Sequence, residues 1–193
     1  MAEESLKTFF VFGGLLVVFR GNMKTCSFFG HRDTPQTDEL KQKVKETVER
    51  LIVEEGVDTF LFGSRSKFDE LCHIVVTELK EKYPYIRRIA YLCKHESGCL
   101  VGTGASLRQN IKDLTGRDVY VAEYEEIKKS DRVNSAGRAS YVERNQLMVD
   151  GSNFVILSIN EKKCCAKSGT RIVYNYAIQK NIKIIKFETD LMT

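Results

Sequence analysis

Along the chain, short apolar runs that stop at glycine alternate with stretches whose apolar residues recur every three or four positions. Residues 38–55 place Leu40, Val44, Val48, Leu51 and Ile52 on one helical face, and Asp38 and Glu39 suit the positive end of that helix. Residues 57–62 predict a strand. Ser66 with Asp69 three positions on forms a capping-box signature, and Phe68, Leu71, Cys72, Val75, Val76 and Leu79 give the next helix its apolar face, which Pro84 ends. Further strands are predicted over 26–29, 86–92, 118–122, 154–158 and 182–187, with helices over 139–149 and 170–179. A short helix is expected around 107–114, in a poorly patterned middle. Alternating strands and helices imply right-handed crossovers, so the expected fold is α/β, a three-layer Rossmann-like sandwich with a mostly parallel sheet.

Ligands of such a sheet collect outside the carboxyl ends of its strands, and three turns there carry suggestive residues. The run 26–29 ends in Gly30, His31 and Arg32. The run 57–62 ends in Gly63, Ser64 and, at the next helix, Phe68 and Asp69. The run 154–158 leads to Ser168, Gly169 and Thr170, which can cap a helix and cradle an anion with the same exposed N–H groups. Arg144 and Asn145 lie on the helix before that last run. Arg144 can fork onto a phosphate, or pair on the helix surface with Glu143 or Asp150. Asn145 can touch ligand or the adjoining turn, and Asp69 can cap its helix or touch ligand. His31 fits hydrogen bonding better than general-base work. His73 and His95 are assigned no chemistry, and Gly102-Thr-Gly104 lacks the third glycine and the preceding strand of a dinucleotide turn.

Length and charge narrow the picture. The 193 residues suffice for one well-buried core. Thirty basic and 26 acidic residues are interspersed, which offers no concentrated basic footprint and argues against nucleic acid as a partner. Six cysteines sit mostly in apolar runs or side by side at Cys164 and Cys165, a pattern that fits a reducing cytoplasm rather than a secreted disulfide framework. Cys93, His95 and Cys99 lack paired zinc-ligand spacing, so no metal is expected, and no cofactor either. The vicinal cysteines can be redox-active, but a loop insertion is the simpler account.

Residues 9–19 form an apolar run of 11, short of the ~17–25 needed to span a bilayer, and the acidic leader does not suit a signal peptide. No membrane association is expected. Residues 1–22 are read as lying outside the domain, which occupies 23–193. One hypothesis makes Met23 the natural start, because Arg20-Gly21-Asn22 can be encoded by a purine-rich ribosome-binding sequence. A native mass that includes Met1 or Ala2 would overturn it. The competing reading is an amphiphilic arm that packs on a partner.

Several motifs together resemble the SLOG superfamily of Rossmann-like proteins, which holds the DNA-processing protein A and the LOG phosphoribohydrolases, and within it the YpsA-like family of firmicute bacteria. They are Phe28-Phe-Gly-His-Arg32, Gly63 with Phe68-Asp69, Ala136-Gly-Arg-Ala-Ser-Tyr-Val-Glu-Arg-Asn145 with Met148 and Asp150, and Ser168-Gly-Thr170 with Tyr176-Ala177. The resemblance implies a pocket for a nucleotide or nucleotide-derived ligand at the carboxyl edge of the sheet. It also implies a comparison with the LOG enzymes, whose Arg-Lys-x-x-Met motif is matched by Arg144 and Met148. Their Gly-Gly-x-Gly-Thr-x-x-Glu motif is damaged here: Ala166 and Lys167 replace the paired glycines, and Val173 stands where the catalytic glutamate would be. Cleavage of an N-glycosidic bond needs a carboxylate, and valine supplies none.

The favoured expectation is therefore a sensor or regulatory module that binds a nucleotide-derived small molecule. One alternative is a LOG-like hydrolase in which Asp69, Asp150 or Glu143 supplies the carboxylate, Asp69 being the best candidate. Another is single-stranded DNA binding, with steeply salt-dependent affinity. The tyrosines of 174–177 can face a second subunit or pack in the core.

Overall fold

The computed structural model describes residues 8–12, 15–19, 23–32, 34–63, 66–93, 100–101, 106–108, 121–129, 138–159 and 168–188. Thr8–Phe12 (β1) and Leu15–Phe19 (β2) pair antiparallel with each other in a sheet of their own. The sequence between them is Gly-Gly, a dipeptide that hairpin connections favour. That signal is easily lost inside an otherwise continuous apolar run.

The central sheet begins with Lys24–Gly30 (β3). Asp38–Glu55 (α1) follows, with the Thr37 hydroxyl accepting from Leu40 N–H at its start and Gly56 in the left-handed conformation, φ 71°, at its end. Then come Val57–Phe62 (β4), Lys67–Lys82 (α2) and Arg87–Leu92 (β5). Leu100–Val101 (β6), Ser106–Arg108 (β7) and Val121–Glu123 (β8) form a small antiparallel sheet. Glu126–Lys129 (β9), Arg138–Asp150 (α3), Phe154–Ile159 (β10), Gly169–Gln179 (α4) and Lys183–Glu188 (β11) complete the described elements.

Six parallel strands run in the order β11-β10-β3-β4-β5-β9. Alternation along each strand divides the core in two. Phe28, Phe60, Phe62 and Ile156 pack on one face with Val44, Val48, Leu71 and Val75 of α1 and α2. Phe29, Leu61, Val155 and Leu157 pack on the other with Met148, Val149, Val173 and Ala177 of α3 and α4. The result is the expected α/β three-layer Rossmann-like sandwich.

Two expectations for the middle of the chain are corrected. The strand placed at 118–122 is not the fourth of the parallel run. Val121–Glu123 belongs to the small antiparallel sheet, and β9 holds the edge beside β5. Its sequence, Glu-Ile-Lys-Lys, offers only Ile127 to the core, so hydrophobic patterning could not reveal it. Buried Arg88 joins the segments instead: its guanidinium donates to both Glu125 carboxylate oxygens and to Thr77. Burial opposes ionisation of Glu125, but the Arg88 hydrogen bonds prevail and hold its carboxyl below the usual range. The helix expected around 107–114 meets strand β7 at its start, and residues 109–114 lie outside the described set.

Gly30, at the end of β3, packs directly on the first turn of α2. A Cβ built there would lie 2.5 Å from Phe68 Cβ, and Phe68 is wholly buried. The clash involves an atom fixed to the helix backbone, so no rotamer change relieves it. Gly30→Ala is expected to destabilise the fold by at least ~1–3 kcal/mol, the usual cost of overpacking, read as a lower midpoint in denaturant unfolding.

Candidate anion site at the carboxyl edge of the sheet

β3 leads by sequence to β4, β5 and β9 on one side, while β10 and β11 lie on its other side. The sheet order therefore reverses between β3 and β10. The connections leaving these two neighbours diverge to opposite faces and open a crevice beyond Gly30 and Ser158, which pair across the ladder. A pocket of about 230 Å³ lies there. Three groups of the predicted residues line it: Gly30, His31 and Arg32; Gly63 and Asp69; and Arg144, Asn145, Ser168, Gly169 and Thr170. Ser66, Tyr141 and Val173 join them. Ser64 lies outside the described residues. Phe68 is placed differently from the expectation: it is a core side chain beneath Gly30 and is not part of the lining.

Arg144 reaches the pocket from a helix face that is otherwise built for the core. Ser140, Arg144 and Met148 recur at four-residue spacing on α3, and all three are buried. The guanidinium Nη1 donates to the Gly63 carbonyl and, at 3.4 Å, to that of Tyr91, while Nε donates to Asn145 Oδ1 at 3.1 Å. Its Cζ lies 5.5 Å from the centre of the Tyr141 ring. A surface ion pair is thereby replaced by a buried cation held at the ends of β4 and β5. Gly63 leaves room for it, since a Cβ there would come within 3.3 Å of the guanidinium. Asn145 orients the cation, a task that sequence reasoning did not consider.

Asp69 faces this charge from α2. The Ser66 hydroxyl accepts from Asp69 N–H at 2.9 Å and donates to Oδ2 at 3.0 Å, so the capping signature and the pocket use the same carboxylate. Among the described residues, its Oδ1 is buried without a hydrogen bond of normal geometry, and so is Nε2 of His31, although the Gly63 and Ser66 amides also draw on the Asp69 carboxylate. Burial pushes Asp69 up to about 6 from an ordinary 3.8, against the pull of the Arg144 charge and the Ser66 hydroxyl.

On the opposite wall, Ser168 caps α4, its hydroxyl accepting from Arg171 N–H at 3.4 Å. Ser168, Gly169 and Thr170 of that first turn line the pocket, where a helix start leaves amides without intrahelical acceptors. Val173, one turn on, presents an apolar side chain to the pocket. Asp150 points elsewhere, bonded by the Tyr176 hydroxyl at 3.0 Å and paired with Lys180. Asp69 is thus the carboxylate among the described lining residues, while Glu143 is not part of that lining. Of the zinc candidates, Cys93 is buried with its thiol donating to the Ser140 carbonyl, and His95 and Cys99 lie outside the described residues, as do Cys164 and Cys165. No helix among the described residues is long and apolar enough to cross a membrane.

The raised Asp69 pKa sets a pH dependence of stability. The native state binds the proton more tightly than the unfolded chain, so this group favours folding below about pH 4 and the advantage is lost as pH rises through about 6. A shift of this size corresponds to about 3 kcal/mol. Asp69→Asn is therefore expected to gain stability relative to the native sequence as pH rises across that window, measured by urea unfolding at a series of pH values. A difference that does not change with pH would contradict the assignment.

Comparison with known proteins gives a fold likeness and no family. No family model matches the chain, and no curated protein matches it. Among solved structures it is similar to DNA processing protein A from Helicobacter pylori, described for its single-stranded DNA binding mode, with a TM-score of 0.47 and 16% identity. The match covers 87% of this chain and spans 66% of that protein's length. This finding overturns the expectation against nucleic acid: a protein of similar fold is described as a single-strand binder, and charge dispersed along a sequence does not exclude such a ligand.

Proposed function

We propose that the pocket binds the phosphate of a nucleotide unit, held between the N-terminus of α4 and the Arg144 guanidinium. The observation that carries this reading is the meeting of a capped helix N-terminus and a buried arginine in one crevice at the reversal point of the sheet. The volume, about 230 Å³, is below the ~300–1,000 Å³ of pockets that enclose a whole drug-sized ligand. It suits one phosphate with its sugar, with the base lying outward near Tyr141. The motifs quoted above support placing residues 23–193 among the SLOG proteins, close to the YpsA-like family. The buried thiols of Cys26, Cys72 and Cys93 suit a reducing compartment such as the cytoplasm.

The phosphate can come from a free nucleotide or from a single strand of nucleic acid. Arg171 and Lys186 lie 5.7 and 5.2 Å from the centre of the Tyr174 ring on the helix that opens at the pocket, and a ring flanked by cations is a feature of single-strand platforms. A binding role is favoured over hydrolysis because Val173 leaves α4 without a carboxylate.

Incubation with nucleoside monophosphates, NAD, cyclic nucleotides and short DNA and RNA strands, followed by filtration and chromatography, tests the proposal. Retention of an intact compound is expected, with affinity reduced ~10–100-fold by Arg144→Ala, the loss of a charge-assisted contact. Arg144→Lys keeps the charge and loses the fork, and it serves as the check if the alanine variant fails to fold. Unchanged affinity in folded variants of Arg144 would refute the phosphate position. Release of free base would replace the binding role with a hydrolase, and affinity that rises with strand length and falls steeply with salt would identify the single strand as the source.

A further inference from the structure

An anion that enters the pocket meets a carboxylate there. Asp69 lines the same cavity as Arg144 and the first turn of α4, and it is 7% exposed. Oδ2 already accepts from the Ser66 hydroxyl, and the Gly63 and Ser66 amides also draw on the carboxylate, but Oδ1 has no hydrogen bond of normal geometry among the described residues. An ionised Asp69 would repel a phosphate oxygen, because like charges in one site disfavour each other's ionisation. A carboxyl would instead donate to it.

We propose that Asp69 binds the anion as a neutral acid, taking one proton from solvent as the ligand enters and donating an Oδ1–H hydrogen bond to a phosphate oxygen. This rests on the phosphate-site reading and specifies its chemistry. The balance is simple: one proton leaves solvent, no covalent bond of the ligand changes, and the pocket gains a donor where it had an unmatched acceptor. Burial already brings the carboxyl up to about 6, so little further stabilisation of the neutral form is needed near neutral pH.

The groups around Asp69 decide which of them takes the proton. Arg144 and Tyr141 face it from α3. His31 and Arg32 approach from the end of β3, and Cys72 lies one turn along its own helix. The lining from α4 is uncharged, being Gly169, Thr170 and Val173 behind the Ser168 cap. His31 is the rival site, because its Nε2 is also buried without a hydrogen bond among the described residues.

Calorimetric titration with a dinucleotide carrying one phosphodiester tests the proposal, since that charge is constant over the relevant range. Titrations run from about pH 5.5 to about pH 8.5 in buffers of different ionisation enthalpy, which reports proton uptake by the unaltered protein. The expected result is little uptake at about pH 5.5, where the buried carboxyl already holds most of its proton, rising toward one proton per ligand above about pH 7, with affinity falling by up to about tenfold per pH unit there. Asp69→Asn, a neutral side chain with an N–H donor, is expected to bind without proton uptake and with little pH dependence, and His31→Gln to keep the dependence. Binding above about pH 7 without proton uptake would overturn the proposal, because Asp69 would then stay ionised in the complex. A dependence that survives Asp69→Asn and vanishes in His31→Gln would move the proton to the imidazole and overturn it as well. If the unaltered protein binds no dinucleotide at any pH, the phosphate-site reading itself fails, an outcome distinct from binding that takes up no proton.

Discussion

The parallel pairing of β3 with β10 is the constraint on which the rest of the structure depends. It sets two strands far apart in sequence side by side at the middle of the sheet, from Phe154 opposite Cys26 to Ser158 opposite Gly30. Every strand of the sheet points the same way, so the chain leaves each at one common edge. At this single junction the connections depart to opposite faces. The crevice is a consequence of strand order before any side chain is considered, and the side chains then give it a sign.

That sign comes from groups buried at some cost. A guanidinium removed from water needs compensation, and Arg144 finds it in two main-chain carbonyls, an asparagine oxygen and the nearby charge of Asp69. The apolar halves of the sandwich provide the stability that tolerates this arrangement. Phe28 and Phe62 stack with ring centres 5.1 Å apart on one side of the sheet, while Met148 and Leu157 fill the other. A polar crevice between two dry layers is thus sustained by cores that take no part in it.

Much of this was legible in the sequence, and the failures have physical causes. The helices over 38–55 and 170–179 announced themselves because one face packs on the sheet and the other meets water. Strands β3, β4 and β10 lie at the centre, buried on both faces, and their continuous apolar runs end at recognisable turns. Edge strand β9 carries a single core residue and was invisible to patterning. Arg144 was offered from its motif as a phosphate ligand or a surface ion-pair partner, and its burial required the fold. Nothing local distinguishes an arginine on the dry face of α3 from one in solvent, because Ser140 at the same spacing is polar too. Phe68 was misassigned to the pocket for a related reason: a residue at a functional turn can serve the core beneath it.

The way Arg144 is anchored also bears on how this site would persist through evolution. Two of its acceptors are backbone oxygens, which every amino acid supplies, so the residue at position 91 can drift without loosening the cation. The guanidinium restricts its neighbours at position 145, whose side-chain oxygen it uses, and at position 63, where a Cβ would come within 3.3 Å of it. A charged crevice held largely by main-chain geometry can therefore keep its shape across descendants whose sequences no longer resemble one another.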